Sequence, residues 1–212
     1  MSSLHRLLLQ AGIAAPLVYL ATVAVAGWAT PGYSHLDQPV SALFEAGAPW
    51  ALPVSAAFVL YNLLVLAFGA GLWLSFRDHP RALRVAALMV ILSGLGGLVI
   101  ELTPMDPIGD PVTALGMAHL VIAAVILFST IAAMAFAIAG WRNSSEAQGA
   151  AIATTAILVV VLIAGALAAL AAAQGMPLLG LYQRVTIGGY LVWLLALGAA
   201  LLTERPALLS RV

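Results

Sequence analysis

Cysteine is absent from the 212-residue chain, and so is lysine, all eight basic residues being arginine. The first absence excludes disulfides, iron–sulfur clusters, thiolate zinc sites and cysteine nucleophiles. The second excludes Schiff-base chemistry. Charge of either sign is scarce: charged residues make up 8% of the chain and the formal net charge is zero. A soluble domain carries about a quarter charged residues, so a soluble globular fold is excluded. Without a basic excess, nucleic acid is excluded as a partner. What fills the chain instead is hydrophobic residues, at 64%.

Those residues fall into six apolar runs near Leu7–Ala29, Pro53–Phe76, Val85–Leu102, Ala118–Ala139, Ala151–Ala173 and Val185–Leu202. Each approaches the ~20 residues that a helix needs to cross the hydrocarbon. The first run is too long for a signal-peptide core of about 7–15 residues, so it reads as a retained helix. The expected fold is all-α, a polytopic integral membrane bundle of six transmembrane helices forming one transmembrane domain over 1–212. The lipid bilayer is its first partner; oligomeric state is not readable.

Along an alternating six-helix path, Arg6, Arg77, Arg81, Arg84, Arg142, Arg205 and Arg211 fall on one side and Arg184 alone on the other. The positive-inside rule then predicts a cell-membrane protein with both termini in the cytoplasm. The outer side receives Asp37, Glu45, Glu101, Asp106 and Asp110. The aromatics Trp28, Trp50, Tyr33 and Tyr182 cluster at that boundary, as an interfacial belt does.

The two long outer loops resemble each other. Thr30-Pro31 leads to Asp37-Gln-Pro-Val40-Ser41-Ala-Leu43, and Thr103-Pro104 leads to Asp110-Pro-Val112-Thr113-Ala-Leu115. Repeated helical hairpins would produce such a pattern. Asp110 before Pro111 reads as a helix cap with proline in the first helical position. Ser41–Ala46, ended by Gly47, reads as a short interfacial helix. Asn62, halfway along the second run, reads as an interhelical hydrogen-bonding residue.

The stretch from Glu101 to His119 concentrates ionisable groups between two spans, where desolvation is costly unless they are paired, solvated or functional. Arg184 expects a carboxylate partner in Asp106 or Glu101, or else orients an anion. His119 is either a hydrogen-bonded packing residue or, beside two carboxylates, a proton-transfer group. His35 and Asp37 join it if the loops converge. His35, His119, Asp106 and Glu101 have the donor atoms for a metal, but no HxxxH or HExxH spacing supports one, so neither metal nor cofactor is expected. Ser41 lacks a nucleophile elbow and reads as a helix-start residue.

Three stretches together, Tyr33-Ser34…Ser41-Ala-Leu43, Pro104-Met-Asp106…His119 and Gly180-Leu-Tyr-Gln-Arg184, resemble the bacterial and archaeal membrane family catalogued as domain of unknown function 998. The resemblance covers nearly the whole chain. It implies a six-helix membrane protein without an established family-wide activity, and its polar positions carry onto Ser41, Asp106, His119 and Arg184. Gln38-Pro39-Val40 departs from the plain apolar run more usual in that family.

The residues themselves point to a membrane-embedded enzyme doing acid–base chemistry on a lipid or isoprenoid substrate at the outer leaflet. Asp106, Glu101 and His119 are the candidate catalytic groups. Arg184, His35, Asp37, Tyr33, Tyr182, Trp28 and Trp50 are the candidate substrate-binding groups. Lipid hydrolysis and protonation-triggered polyprenyl cyclisation or rearrangement both fit. A small transporter or proton-coupled carrier, or a non-catalytic membrane subunit, is the competing class. No ionisable residue stands at mid-membrane, where coupling sites lie.

Overall fold

The structure is a computed structural model that describes residues 1–107 and 109–203; Arg205 and Arg211 lie outside the described residues. Among the described residues six α-helices follow in order: α1 Ser3–Ala29, α2 Ala51–Ser75, α3 Arg81–Ile100, α4 Ala114–Trp141, α5 Gln148–Gln174 and α6 Leu179–Leu202. All six are long and apolar enough to cross a membrane, and no strand occurs among the described residues. The predicted all-α, six-span architecture is what the chain adopts.

Every helix begins a few residues before the apolar run that predicts it. Hydropathy reports where lipid is, whereas capping reports where the helix starts. The Ser2 side chain accepts from His5 N and opens α1. Pro80 precedes α3, and the Thr113 hydroxyl accepts from Gly116 N to open α4. The α4 start departs from the expected cap at Asp110. Asp110 N donates to the Pro107 carbonyl in a turn, residues 111–113 are not helical, and Thr113 is extended. Thr113 is the better cap because it has a second partner behind it, described below. The expected helix at Ser41–Ala46 is a shorter 3₁₀ turn at Val40–Leu43, with Gly47 left-handed at φ 85°.

Neighbouring helices pack in chain order, and α6 returns to α1, so the six close into a ring with no helix at its centre. A hollow ring must be filled by side chains or stay open. At the end where α1 starts, hereafter the arginine end, large residues fill it: Phe68 on α2 and Phe76 just after it, Leu83 on α3, Met134 and Trp141 on α4, and Leu194 on α6. At the opposite, acidic end a smaller cluster of Val23, Leu43, Phe44, Val54 and Phe58 fills only the side next to α1 and α2. The first acidic-end loop (residues 30–50) folds inward to supply Leu43 and Phe44. The remainder of that half is hollow.

Candidate functional site

The hollow is a cavity of about 440 Å³, bounded by all six helices and roofed by Ser41 and Phe44 of the first loop. Its size lies in the ~300–1,000 Å³ range of ligand pockets. Apolar and aromatic side chains make its wall. Tyr19 lies 5.2 Å from the Phe58 ring and 5.1 Å from Tyr61, centroid to centroid. Its floor carries uncharged polar groups, including Asn62, Thr130 and a Ser93–Tyr190 hydroxyl pair at 2.9 Å. Ser93 lies eight positions along α3 from Glu101, so the cavity runs roughly 12 Å inward at 1.5 Å per residue. Asn62 Nδ2 donates to the Phe58 carbonyl at 2.9 Å. Its side chain lies flat on α3 because position 97 is glycine: a Cβ there would sit 2.0 Å from Asn62 Oδ1.

Two ionisable groups stand at the mouth. His119, in the second turn of α4, is 3% exposed and lines the cavity. Its Nδ1 is 2.7 Å from the Thr103 carbonyl. A carbonyl only accepts, so Nδ1 carries the proton and Nε2 presents a lone pair. Glu101 follows directly on α3, and its Oε2 is buried with no hydrogen-bond partner. Burial pushes the Glu101 carboxyl up to about 7, opposed only by the Ser55 hydroxyl. Thr103, whose carbonyl orients the imidazole, stands two residues after Glu101, and both Glu101 and His119 line the cavity.

Asp106 does other work. Its Oδ2 accepts from Thr113 N and its Oδ1 from the Thr113 hydroxyl, both at 2.8 Å. It seats against α4 because residue 116 is glycine: a Cβ there would meet Asp106 Oδ2 at 1.8 Å. Asp106 therefore seals the start of the helix that carries His119 and stands outside the cavity lining.

Among the described residues Arg184 pairs with no carboxylate. Nη1 donates to the carbonyls of Gln38 at 2.9 Å and Gly180 at 3.0 Å, Nη2 donates to the Tyr33 hydroxyl, and the guanidinium stacks 5.6 Å from the Tyr33 ring centre. The expected partner carboxylates belong to the second acidic-end loop, whereas Arg184 faces the first. Asp37 accepts from Leu178 N at 3.1 Å and from the Ser34 hydroxyl at 2.8 Å, which lowers its pKa. Leu178 is the one non-glycine residue with a left-handed backbone among the described residues, at φ 68°; the Asp37 bond pins that strained turn into α6. His35 packs edge-on against Tyr33 at 5.2 Å, and burial followed by the Arg184 charge lowers its pKa. The structure thus joins Arg184, Tyr33, His35 and Asp37 in a clasp between the first loop and α6.

The other aromatics stay apart from the cavity. Trp28 is 88% exposed, Trp50 donates from Nε1 to the Ala29 carbonyl at 3.1 Å, and Tyr182 lies half-buried on α6. Sequence reasoning missed Tyr19, Tyr61, Ser93, Gln183 and Tyr190 as lining residues. Their signal was hydroxyls and amides inside otherwise apolar spans. Glu45 was missed as well: its Oε2 is buried without a partner, and burial and then the negative charge of Asp110 push its carboxyl up. Among the described residues no three histidine, aspartate or glutamate side chains group closely enough to hold a metal ion.

Fold and cavity together define a multi-pass membrane protein of six spans whose bilayer-embedded half encloses an apolar site. Over residues 13–200 the chain matches the family described as protein of unknown function (DUF998), and it belongs to that family. No curated protein and no solved structure matches it.

Proposed function

We propose that the protein is a membrane-embedded enzyme performing acid–base chemistry on a lipid or isoprenoid substrate, with Glu101 as the acid and His119 as the base. The observation that carries this is that a desolvated carboxyl and a lone-pair imidazole nitrogen line the same apolar cavity. A carboxyl that stays protonated up to about pH 7 is matched to proton donation under physiological conditions. The neutral His119 Nε2 takes a proton from water or from a substrate carbon. For hydrolysis, His119 activates water while Glu101 protonates the departing oxygen. For cyclisation, Glu101 protonates an alkene, the tyrosine and phenylalanine wall shelters the cation, and His119 removes the final proton. Asp106 becomes a positioning residue that holds α4 in register.

The excess of arginines at one end supports a cytoplasmic-membrane protein with cytoplasmic termini, so the cavity mouth faces the outer leaflet. A carrier would have to open at the arginine end too, and the Phe68, Phe76 and Trp141 packing there disfavours it.

The test is lipid and metabolite analysis of membranes that contain or lack the protein. Glu101→Gln and His119→Ala should each remove the product while the protein still folds, because positioned acid–base groups contribute about 10²–10⁴-fold. Wild-type lipid profiles from both variants would refute the enzymatic reading.

A further inference from the structure

The cavity is not sealed at its side. Leu120 and Ala124 on α4, and Ala169 and Ala172 on α5, line it and are also exposed on the outside of the ring. Ala124 lies ten positions into α4, roughly 15 Å along the helix axis, deeper than an interfacial layer. The opening therefore faces hydrocarbon. α4 and α5 are joined at the arginine end by the short link 142–147 and pack less closely than any other neighbouring pair in the ring. Small residues widen the gap further. A Cβ on Gly165 of α5 would meet nothing closer than 3.6 Å.

The lining also selects by charge. Among the described residues Glu101 is its one carboxyl, and it contains no arginine. Arg184 is turned away into its clasp with Tyr33, Gln38 and Gly180. A phosphate or carboxylate head would meet Glu101 with no cation to balance it. A hydroxyl suits both groups at the mouth: its oxygen accepts from the protonated Glu101 carboxyl, and its O–H donates to His119 Nε2.

We propose that the cavity takes one uncharged lipid alcohol from the bilayer, entering sideways between α4 and α5, with its hydroxyl held between Glu101 and His119. This rests on the same cavity as the enzymatic reading and names its substrate class and route of entry.

The test uses the protein reconstituted in phosphatidylcholine vesicles and a long-chain alcohol with a diazirine at its tail, with adducts mapped by mass spectrometry. Adducts should fall on cavity peptides of α2, α3 and α5 and be competed by the unlabelled alcohol. The matched fatty acid and alkylamine should label them at least about tenfold less, ~1.4 kcal/mol weaker. Ala169→Trp, an exposed position filling the opening, should cut cavity labelling by a similar factor. Leu170→Trp, on the lipid face beside it, should leave labelling unchanged. Equal labelling by all three head groups, preference for the amine, or indifference to Ala169→Trp overturns the proposal. Alcohol-selective labelling of the wild-type cavity that is lost in Glu101→Gln and His119→Ala, while both variants leave the lipid profile unchanged, would keep this inference and remove the enzymatic one. Loss of product in those variants without alcohol labelling would do the reverse.

Discussion

The two loops at the acidic end begin alike and finish differently. Each leaves its helix through Thr-Pro, and each threonine hydroxyl turns back onto the last turn: Thr30 to the Ala26 carbonyl at 2.8 Å, Thr103 to the Ile100 carbonyl at 3.1 Å. The first loop then reaches across the ring. Leu181 N donates to the Leu36 carbonyl at 2.8 Å, Val40 N to Gln183 Oε1 at 2.7 Å, and Arg184 grips Gln38. The second loop closes largely on itself through Asp106 and Thr113, touching the first where Ala46 N donates to the Met105 carbonyl at 3.1 Å. The bridging loop spends most of its polar groups on those bonds, Glu45 Oε2 being the buried exception. The loop that satisfies itself leaves Glu101 Oε2 beside it buried without a partner, while His119 bonds the Thr103 carbonyl through Nδ1.

If the first loop is the structural one, its loss should weigh most on stability. Arg184→Ala removes three charge-assisted hydrogen bonds and should lower unfolding free energy in detergent by about 3 kcal/mol or more. Tyr33→Phe should recover part of its effect non-additively, since the two share a bond. Adding Asp106→Ala should be additive, because the residues share no partner; coupling between them would erase the contrast between the loops.

Asp106→Ala alone should cost about 2 kcal/mol, the scale of a strong helix cap. Hydrogen exchange should speed up in the first turn of α4 and leave α6 protected. Exchange rising equally in both helices would show that the loops act as one unit.

Glu101→Gln sharpens the comparison through pH. The folded-state pKa, about 7, is raised above the ordinary carboxyl value of 4.5. The native state therefore binds more protons than the unfolded state between those values, and stability falls as pH rises from about 4.5 to 7. The whole difference is worth ~3 kcal/mol, reduced by solvent at the exposed edge of the carboxyl. Glu101→Gln should thus raise stability by about 1 kcal/mol at pH 8 and change it little at pH 5. Thermal unfolding across that range checks it; a pH-independent difference would mean that Glu101 is already ionised.

The smallest effect belongs to Trp28→Ala. At 88% exposed the residue buries little surface within the protein, so stability should shift by less than ~0.5 kcal/mol and alcohol labelling of the cavity should not change. A larger loss would move the site outward to the aromatic belt.

Hydropathy alone determined that this chain crosses a bilayer with six helices, because burial in hydrocarbon depends on local composition summed over ~20 residues. It also singled out Glu101 and His119, since an ionisable group beside an apolar span stands out in any arrangement. Tertiary structure decided what each polar group does, because a hydrogen bond is settled by where its partner lies. Arg184 was expected to meet the second loop's carboxylates and instead faces the first loop's carbonyls, and nothing local distinguishes the two. Asp106 became a brace because the distant glycine at 116 admits its carboxylate. Tyr19, Asn62, Ser93 and Tyr190 lie on four different helices and became one cavity only when the ring closed with too few large side chains to fill its acidic half.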